Sequence, residues 1–329
     1  TTPQMNRNMR ERTVLVTGGA GFIGSHLVRR LVQEGARVVV VVKYRSMIDS
    51  VRLAPVWDDI EVVEADFRNL DSARSLAGRT YDAVFHLAAY NHVGDSFIHV
   101  QESILSNMLA TANLMEAGLE YNRFIYIASS EVYGFQKEIP FTESSMPFPI
   151  SPYAIGKYGG ELYAKMKRHQ TNGQIICLRP FNTFGPYQSE RAVIPEFIMK
   201  CLKGIPVELT EGTQTREFNF VENIVDGMLL AAGVDQIPAG SINLGSGEEI
   251  AIRDLVQRIH ELTGSQSELR IGALENRPTE IWRMQADFSQ AKEILGWESV
   301  VGFDEGLQRT VDWYRKFMNV FGSAGLAGL

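Results

Sequence analysis

The chain has 329 residues, of which 45% are hydrophobic and 22% charged, and a formal net charge of −7. This length allows one large domain or a domain with an added lobe, and the composition is that of a globular protein with a sizeable core. Because the chain is acidic and has no long Lys/Arg run, we expect no nucleic-acid partner. No stretch reaches the roughly 20 apolar residues of a membrane span, and residues 1–13 lack the apolar centre of a secretory signal.

The cysteines and histidines of the chain indicate its cellular compartment and whether it binds a metal. Two cysteines, Cys177 and Cys201, in a large acidic chain are typical of reduced thiols, so we expect a cytoplasmic protein. The six histidines are scattered without the spacing of metal ligands. We therefore expect no metal site.

Strands and helices alternate through the first half of the chain. The five valines of Val38–Val42 predict a strand buried on both faces, as in a parallel sheet. The alternation predicts an α/β fold with a Rossmann-type, doubly wound parallel sheet. The predicted strands cover residues 13–16, 37–42, 61–64, 83–87, 123–128 and 174–178, and the predicted helices cover residues 23–34, 70–76, 100–118 and 153–170.

The pattern changes after residue 180, where short strands and helices are interrupted by prolines. This predicts a smaller C-terminal α/β lobe. We divide the chain into a dinucleotide-binding domain at 1–180 and a second lobe at 181–329. A crossover back to the first domain is expected near 218–233, where residues 224–232 are typical of a core helix.

The first strand ends in the glycine-rich turn TGGAGFIG at 17–24. The spacing GxxGxxG suits a tight turn, close approach of the backbone to a pyrophosphate, and close packing of helix on strand. The free N–H groups of the following helix also favour phosphate. A strand before and an amphipathic helix after the turn are the context that a dinucleotide site requires. The residues expected to contact the dinucleotide here are Gly18, Gly21, Phe22, Ile23 and Gly24.

The end of the second strand bears on the choice of cofactor. An NAD site usually has an acidic residue there, which binds the ribose 2′-hydroxyl. This chain has Lys43 and Arg45 instead, and Arg binds phosphate through two N–H donors. We therefore favour NADP over NAD; the alternative is that both cations are solvated and the site accepts either cofactor. Asp66, after the third strand, is a candidate either for the adenine amino group or for capping the next turn.

Tyr153 and Lys157 form a Y-x-x-x-K motif, which places both side chains on one helix face. A nearby ammonium favours phenolate, so we expect Lys157 to lower the pKa of Tyr153 towards neutrality. Tyr153 would then act as general acid/base on a sugar hydroxyl while a hydride moves. Ser129-Ser130-Glu131 follows the fifth predicted strand, at the sheet edge where such sites lie.

Eight motifs resemble those of the extended short-chain dehydrogenase/reductases that modify nucleotide sugars. The resemblance covers nearly the whole chain, and it is specific for the superfamily rather than for one reaction. It implies a Rossmann-type domain, a C-terminal nucleotide-sugar lobe, and a homodimer packed through helices 100–118 and 153–170. The motifs are TGGAGFIG at 17–24, HLAA at 86–89, SSEVYG at 129–134, YAIGK at 153–157, RPFNTFGP at 179–186, REFNFVE at 216–222, NLGSG at 243–247 and RPTE at 277–280.

The resemblance also implies roles for individual residues. Tyr153 is the catalytic base, Lys157 holds the nicotinamide ribose, and Ser129 bonds the sugar 4-hydroxyl. The residues that correspond to cofactor-binding positions include Phe67, Leu87, Ala88, Ala89 and Pro180. By the same resemblance, the residues that bind the nucleotide diphosphate sugar are Asn182, Val193, Arg216 and Arg277. The guanidinium groups of the two arginines suit a diphosphate.

Glu131 indicates the reaction. Such enzymes first oxidise C4 of the sugar, and simple 4-epimerases usually have a neutral residue at this position. In 4,6-dehydratases it is a Glu that removes the C5 proton. The glucose-type enzymes add an Asp at the position of Ser130, whereas the GDP-mannose type resembles this chain in lacking it, and uses NADP. The segment HLAAYNHVGDSF at 86–97 also resembles the dehydratases.

We therefore predict a lyase, an NDP-sugar 4,6-dehydratase that forms a 4-keto-6-deoxy sugar with Tyr153, Lys157, Ser129, Ser130 and Glu131 in its catalytic site. The first alternative is an isomerase, an NDP-sugar 4-epimerase. Two further alternatives rank below it: an NDP-glucuronate decarboxylase and a non-catalytic NADP-binding regulator. Which nucleotide and which sugar are bound stays open.

Overall fold

A seven-stranded parallel sheet forms the centre of the computed structural model, which describes residues 8–44, 51–276 and 280–321. Its strands, numbered along the chain, are β1 Thr13–Thr17, β2 Arg37–Val42, β3 Ile60–Glu64, β4 Ala83–His86, β5 Phe124–Ile127, β6 Ile175–Pro180 and β7 Ser241–Leu244. They lie in the order β7-β6-β5-β4-β1-β2-β3, and every pairing is parallel. The predicted doubly wound, Rossmann-type fold is confirmed. The order reverses between β1 and β4, which is where sheets of this kind bind ligands.

Helices flank this sheet and build the rest of the molecule. They are α1 Phe22–Gln33, α2 Leu70–Arg74, α3 Val93–Ser96, α4, α5 Pro152–Thr171, α6 Val193–Lys203, α7 Val221–Gly233, α8 Ile252–Thr263 and α9 Phe303–Phe321. Helix α4 consists of Val100–Ile104, a π-helical turn at Leu105–Leu109, and Ala110–Glu116. Short 3₁₀ turns cover Ala54–Asp59 and Ser130–Tyr133, and a second π-helical turn covers Ala291–Leu295. The shorter strands are Thr80–Tyr81, Glu120–Tyr121, Thr183–Phe184, Val207–Leu209, Thr215–Glu217, Asn219–Phe220, Glu249–Ala251 and Leu269–Ile271.

The valine run of β2 explains the two-sided core. Val38, Val40 and Val42 pack into a cluster that includes α1 and α7, whereas Val39 and Val41 pack into a second cluster with α4. Alternate side chains of a strand point to opposite faces. A strand segment covered on both faces therefore has to be apolar at every position, as Val38–Val42 of β2 are.

Residues 221–244 return from the C-terminal half of the chain to the central sheet. Helix α7 packs on α1, and β7 pairs with β6 so that Ser241 lies opposite Cys177. The sequence analysis expected the return near 218–233 but not the strand that follows, because four residues are too few to show a periodicity. Part of the second lobe's sequence thus belongs to the main sheet, and the division of the chain at residue 180 stays a prediction.

Helices α6, α8 and α9 enclose a separate apolar cluster in the C-terminal half. A fourth, smaller cluster, with Tyr133, Phe141, Phe181 and Met284, lies against the 3₁₀ turn Ser130–Tyr133. Cys177 and Cys201 are both free and buried. Within the described residues, no helix is long and apolar enough to cross a membrane.

Candidate active site

The glycine-rich turn between β1 and α1 leaves no room for side chains. Gly18 has a φ of +67°, and a Cβ atom there would lie 2.7 Å from the Ala88 nitrogen. A Cβ atom on Gly24 would lie 2.1 Å from the Gly18 carbonyl oxygen. Glycine at these positions lets the start of α1 approach β1 and β4 closely, which leaves the helix N-terminus at the edge of a cavity.

This cavity, which we call the catalytic cavity, has a volume of about 640 Å³. It brings together predicted cofactor-binding and catalytic residues from the ends of β1, β4, β5 and β6 and from α5. Those that line it are Gly18, Gly21, Phe22, Ile23, Gly24, Leu87, Ser129, Ser130, Glu131, Tyr153, Lys157 and Pro180.

Four predicted cofactor residues, Lys43, Phe67, Ala88 and Ala89, lie outside the wall of this cavity, and so does Asp66. The Ala88 nitrogen donates to Thr17 Oγ1 at 3.1 Å. Arg45 and Arg277 fall outside the described residues.

Lys43 and Asp66 lie in an ion-pair network beyond the cavity. Lys43 Nζ lies 3.0 Å from a carboxylate oxygen of Glu102 on α4. Arg68 bonds both Asp66 and Glu102 at 2.5 Å, and its side-chain hydrogen bond holds the pKa of Asp66 below its usual value. Asp66 also accepts from the Arg68 backbone nitrogen at 3.0 Å, which is the capping arrangement that the sequence left open.

Ser129 caps the 3₁₀ turn that carries Glu131. Its hydroxyl accepts a hydrogen bond from the Glu131 nitrogen at 3.2 Å. The Ser130 hydroxyl donates to the sulfur of buried Met284 at 3.6 Å. The pKa of Glu131 is raised overall. Burial is the main cause and the nearby Glu280 adds to it, whereas Arg216 opposes the shift. The turn therefore holds a carboxylate that takes up a proton more readily than an exposed one.

Tyr153 and Lys157 lie on one face of α5, but their electrostatics differ from the prediction. Burial raises the pKa of Tyr153 to about 12, although a hydrogen bond with the Ser129 side chain lowers it, and Glu131 raises it further. The expected lowering of this pKa by Lys157 is therefore wrong for this structure. The Lys157 ammonium instead donates to the Ile127 carbonyl at 2.5 Å, and burial lowers its own pKa to about 8.

A second cavity of about 410 Å³ is lined by the predicted substrate residues Asn182, Val193 and Arg216. They come from three places: the segment after β6, the start of α6 and the strand Thr215–Glu217. Arg216 bonds the Glu280 carboxylate at 2.7 Å and the Ile281 carbonyl at 2.5 Å. The two cavities adjoin, because both are lined by Val93, Asn182, Thr183, Gln188 and Ala192.

Several residues of the catalytic cavity were not predicted from the sequence: Arg52, Tyr90, Asn91, Asp95, Gln188 and Arg191. Asp95 and Arg191 form an ion pair of 2.6 Å that joins α3 to the segment before α6. Asp95 falls within the segment 86–97, and Gln188 follows the RPFNTFGP motif by two residues, so neighbouring motifs gave a signal for both. Arg52 lies in a stretch without any motif.

Comparison with known proteins is consistent with this geometry. The family model described as "GDP-mannose 4,6 dehydratase" matches residues 15–310. The chain is 33% identical to a UDP-glucose 4-epimerase of Mycolicibacterium smegmatis, over 92% of this chain and 98% of that protein. It is 30% identical to the dTDP-D-glucose 4,6-dehydratase of Homo sapiens, over 93% of this chain and 90% of that protein.

A solved structure is similar over the same length. DesIV, a dTDP-glucose 4,6-dehydratase of Streptomyces venezuelae determined with NAD bound, is 31% identical and superposes with a TM-score of 0.85. The match covers 94% of this chain and 98% of that one. Dehydratases and epimerases thus resemble the chain to a similar degree, and the solved relative holds NAD.

Proposed function

Because the chain belongs to the GDP-mannose 4,6-dehydratase family of nucleotide-sugar-modifying enzymes, we propose that it is an NDP-sugar 4,6-dehydratase. One observation supports this choice above others: a carboxylate with a raised pKa, that of Glu131, lines the same cavity as Tyr153 and Ser129. Loss of water across C5 and C6 needs a group that accepts a proton and then returns one. A carboxylate with a pKa moved towards neutrality is suited to both steps.

In the proposed reaction Ser129 and Tyr153 act at C4 of the sugar. Ser129 bonds the 4-hydroxyl, and Tyr153 takes its proton as C4 becomes a ketone. A bound nicotinamide would supply the redox chemistry: it would accept the hydride that C4 loses and donate the hydride that C6 gains. Lys157 holds the nicotinamide ribose with its ammonium group, which lies at the carboxyl end of β5.

Glu131 acts at C5 and C6. The ketone at C4 acidifies the C5 proton, and the Glu131 carboxylate removes it. The same group, now protonated, gives its proton to the departing C6 hydroxyl, which leaves as water. As C6 gains a hydride, C5 takes up a solvent proton delivered by Glu131, and Tyr153 releases to solvent the proton that it took from the 4-hydroxyl. Ser130 also lines the cavity and stays a predicted catalytic residue; its hydroxyl donates to Met284, and the scheme assigns it no separate step.

Replacing Glu131 with Gln tests the scheme. We expect Glu131→Gln to abolish release of water, whereas C4 oxidation survives and is seen as absorbance of the reduced nicotinamide. Glu138, an exposed carboxylate a few residues further on, provides the matched control Glu138→Gln. Unchanged formation of 4-keto-6-deoxy sugar by Glu131→Gln would remove Glu131 from the mechanism.

A 4-epimerase is the second candidate, and the surroundings of Ser130 favour it. Within the turn Ser130–Tyr133, Glu131 is the one carboxyl group, so the turn itself supplies no separate acid for the C6 hydroxyl. Epimerisation needs no such acid, since the 4-ketone only has to turn over and be reduced from its other face. A product of unchanged mass would identify this reaction.

For the cofactor we propose NADP in preference to NAD, with Lys43 as the residue that binds the 2′-phosphate. Its side chain is 41% exposed and pairs with Glu102. Exposed ion pairs contribute little, roughly 0–1 kcal/mol, so a phosphate can compete with Glu102 for this ammonium. Titration of cofactor-stripped protein with both dinucleotides tests the preference, and tighter NAD binding would contradict it.

We also propose a homodimer formed through α4 and α5. The two helices pack side by side and leave large apolar side chains exposed, which is unusual for a surface that faces only water. These are Val100, Met108, Leu109, Ile155, Leu162 and Met166. Leu162→Glu is expected to yield monomers by light scattering, whereas Leu274→Glu, at an equally exposed leucine in the C-terminal half, leaves the dimer intact. A monomeric wild type would contradict the proposal.

A further inference from the structure

A buried carboxylate lies one helical turn beyond Lys157. Tyr153, Lys157 and Glu161 are spaced four residues apart on α5, so they follow one another along one face of the helix. Glu161 has no exposed surface, and Lys157 is 4% exposed. The proposed scheme gives roles to Tyr153 and Lys157 and none to Glu161.

Glu161 is the centre of a polar network that ties α5 to two strands of the sheet. Arg179 on β6 donates to it from Nε at 2.9 Å and from Nη2 at 2.6 Å. Ser241 on β7 donates at 2.7 Å, and Lys165 at 2.6 Å. Burial alone would raise the pKa of Glu161, but the bonds from Arg179 outweigh it and lower the pKa, so the carboxylate is ionised.

Stability does not explain this network. Arg179 is 2% exposed, so both partners of the Glu161–Arg179 pair are withdrawn from water. The cost of desolvating two ions offsets most of their attraction, and well-packed apolar residues often stabilise such a site equally well. Because the buried charge of Glu161 brings little net stability, we look for its effect in the electrostatics of a neighbouring side chain.

Lys157 is the neighbour that needs a negative charge. On β5 it faces the Tyr126 ring, with its ammonium 5.1 Å from the ring centroid, and the Ile127 carbonyl. On β4 it faces His86, which burial keeps neutral by lowering its pKa to about 3. On its own helix are Tyr153 and Glu161. Burial lowers the pKa of Lys157, and Glu161 is the group that raises it.

We propose that Glu161 is a positioning residue whose negative charge keeps the buried ammonium of Lys157 protonated. The consequence for catalysis rests on the proposed function, in which Lys157 holds the nicotinamide ribose. With Glu161 ionised, Lys157 stays charged through neutral pH despite its burial.

The experiment measures the ionisation of Lys157 directly. The protein is labelled with carbon-13 lysine, the Lys157 Cε resonance is assigned with Lys157→Met, and its shift is followed against pH by NMR. Glu161→Gln keeps the shape of the side chain and removes the charge. We expect the titration midpoint of Lys157 to fall by roughly one pH unit or more, as is typical when an opposite charge is removed from a buried group.

NAD binding is measured over the same pH range. We expect the pH at which binding is half lost to fall with the titration midpoint. Glu116→Gln is the matched control, because Glu116 is an exposed carboxylate that bonds the same helix through Tyr163 and Lys167. It should leave both midpoints at the wild-type values.

Glu161→Gln leaves the Arg179 charge buried and unpaired, which itself can unfold the chain. The double variant Glu161→Gln/Arg179→Gln removes both charges and should show a smaller downward shift, because loss of the Arg179 cation favours protonation of Lys157. A wild-type Lys157 midpoint in either folded variant overturns the inference. A lowered midpoint with unchanged NAD binding upholds the effect of Glu161 on Lys157 and overturns the role of Lys157 in cofactor binding.

Discussion

The two ends of the proposed dinucleotide site differ in how they are built. At the glycine-rich turn, the backbone of residues 17–24 shapes the wall of the catalytic cavity, and the predicted residues line it. At the end of β2, outside that wall, the proposed cofactor contacts are made by side chains. There Lys43 is paired with Glu102, and Asp66 is paired with Arg68.

This difference shows which parts of a site a local sequence pattern can predict. A backbone-built site depends on glycines a few residues apart, so its geometry follows from the motif. In a site built by charged side chains, the charge that a ligand meets depends on which other charged side chains pair with them. Glu102, which pairs with both Lys43 and Arg68, comes from α4 and is separated from Lys43 by 59 residues.

Gly24→Ala should have the largest effect on cofactor binding. Its Cβ atom would lie 2.1 Å from the Gly18 carbonyl oxygen, so the turn has to move. Overpacking of this kind costs roughly 1–3 kcal/mol, which corresponds to about a fivefold to 150-fold loss of affinity for NAD and NADP alike. Calorimetric titration measures it. Gly240→Ala, where the added Cβ meets open space, is the control. Wild-type affinity in folded Gly24→Ala would contradict the claim that the turn needs glycine at this position to bind the cofactor.

Lys43→Gln should have a smaller and selective effect. We expect a loss of about tenfold or less in NADP affinity, since one exposed charge-assisted contact is removed, and no change in NAD affinity. The ratio of the two dissociation constants measures it. Equal losses for both cofactors would show that Lys43 acts on the structure of the site and not on the 2′-phosphate.

Glu102→Gln should have the smallest effect, and in the opposite direction. Removal of this carboxylate frees Lys43 from its partner 3.0 Å away. Exposed pairs contribute roughly 0–1 kcal/mol, so NADP affinity should rise by about fivefold or less. Glu61→Gln, at another exposed carboxylate paired with an Arg, serves as control. A fall in NADP affinity would mean that Glu102 is needed to position Lys43.

Much of the fold could be predicted because its signals are periodic. The valines of β2 and the apolar spacing of α1 each give a pattern long enough to predict the element. The strand β7 has four residues and gives none. The sequence predicts one continuous helix over residues 100–118 and not the π-helical turn Leu105–Leu109 within it.

The placement of the proposed catalytic residues was easier to predict than their electrostatics. Spacing placed Tyr153 and Lys157 on one face of α5, but it could not show that the Lys157 ammonium would bond the carbonyl of Ile127. The burial that raises the pKa of Tyr153 comes from the whole fold. The pairing of Arg216 with Glu280 depends likewise on segments that are separated by 64 residues.

The most direct test of the proposed function is to incubate the purified protein with a panel of nucleoside diphosphate hexoses in deuterated water and to examine the products by mass spectrometry. The account predicts a product lighter by one water, with solvent deuterium at C5. A product of unchanged mass without solvent deuterium would contradict it and identify a 4-epimerase.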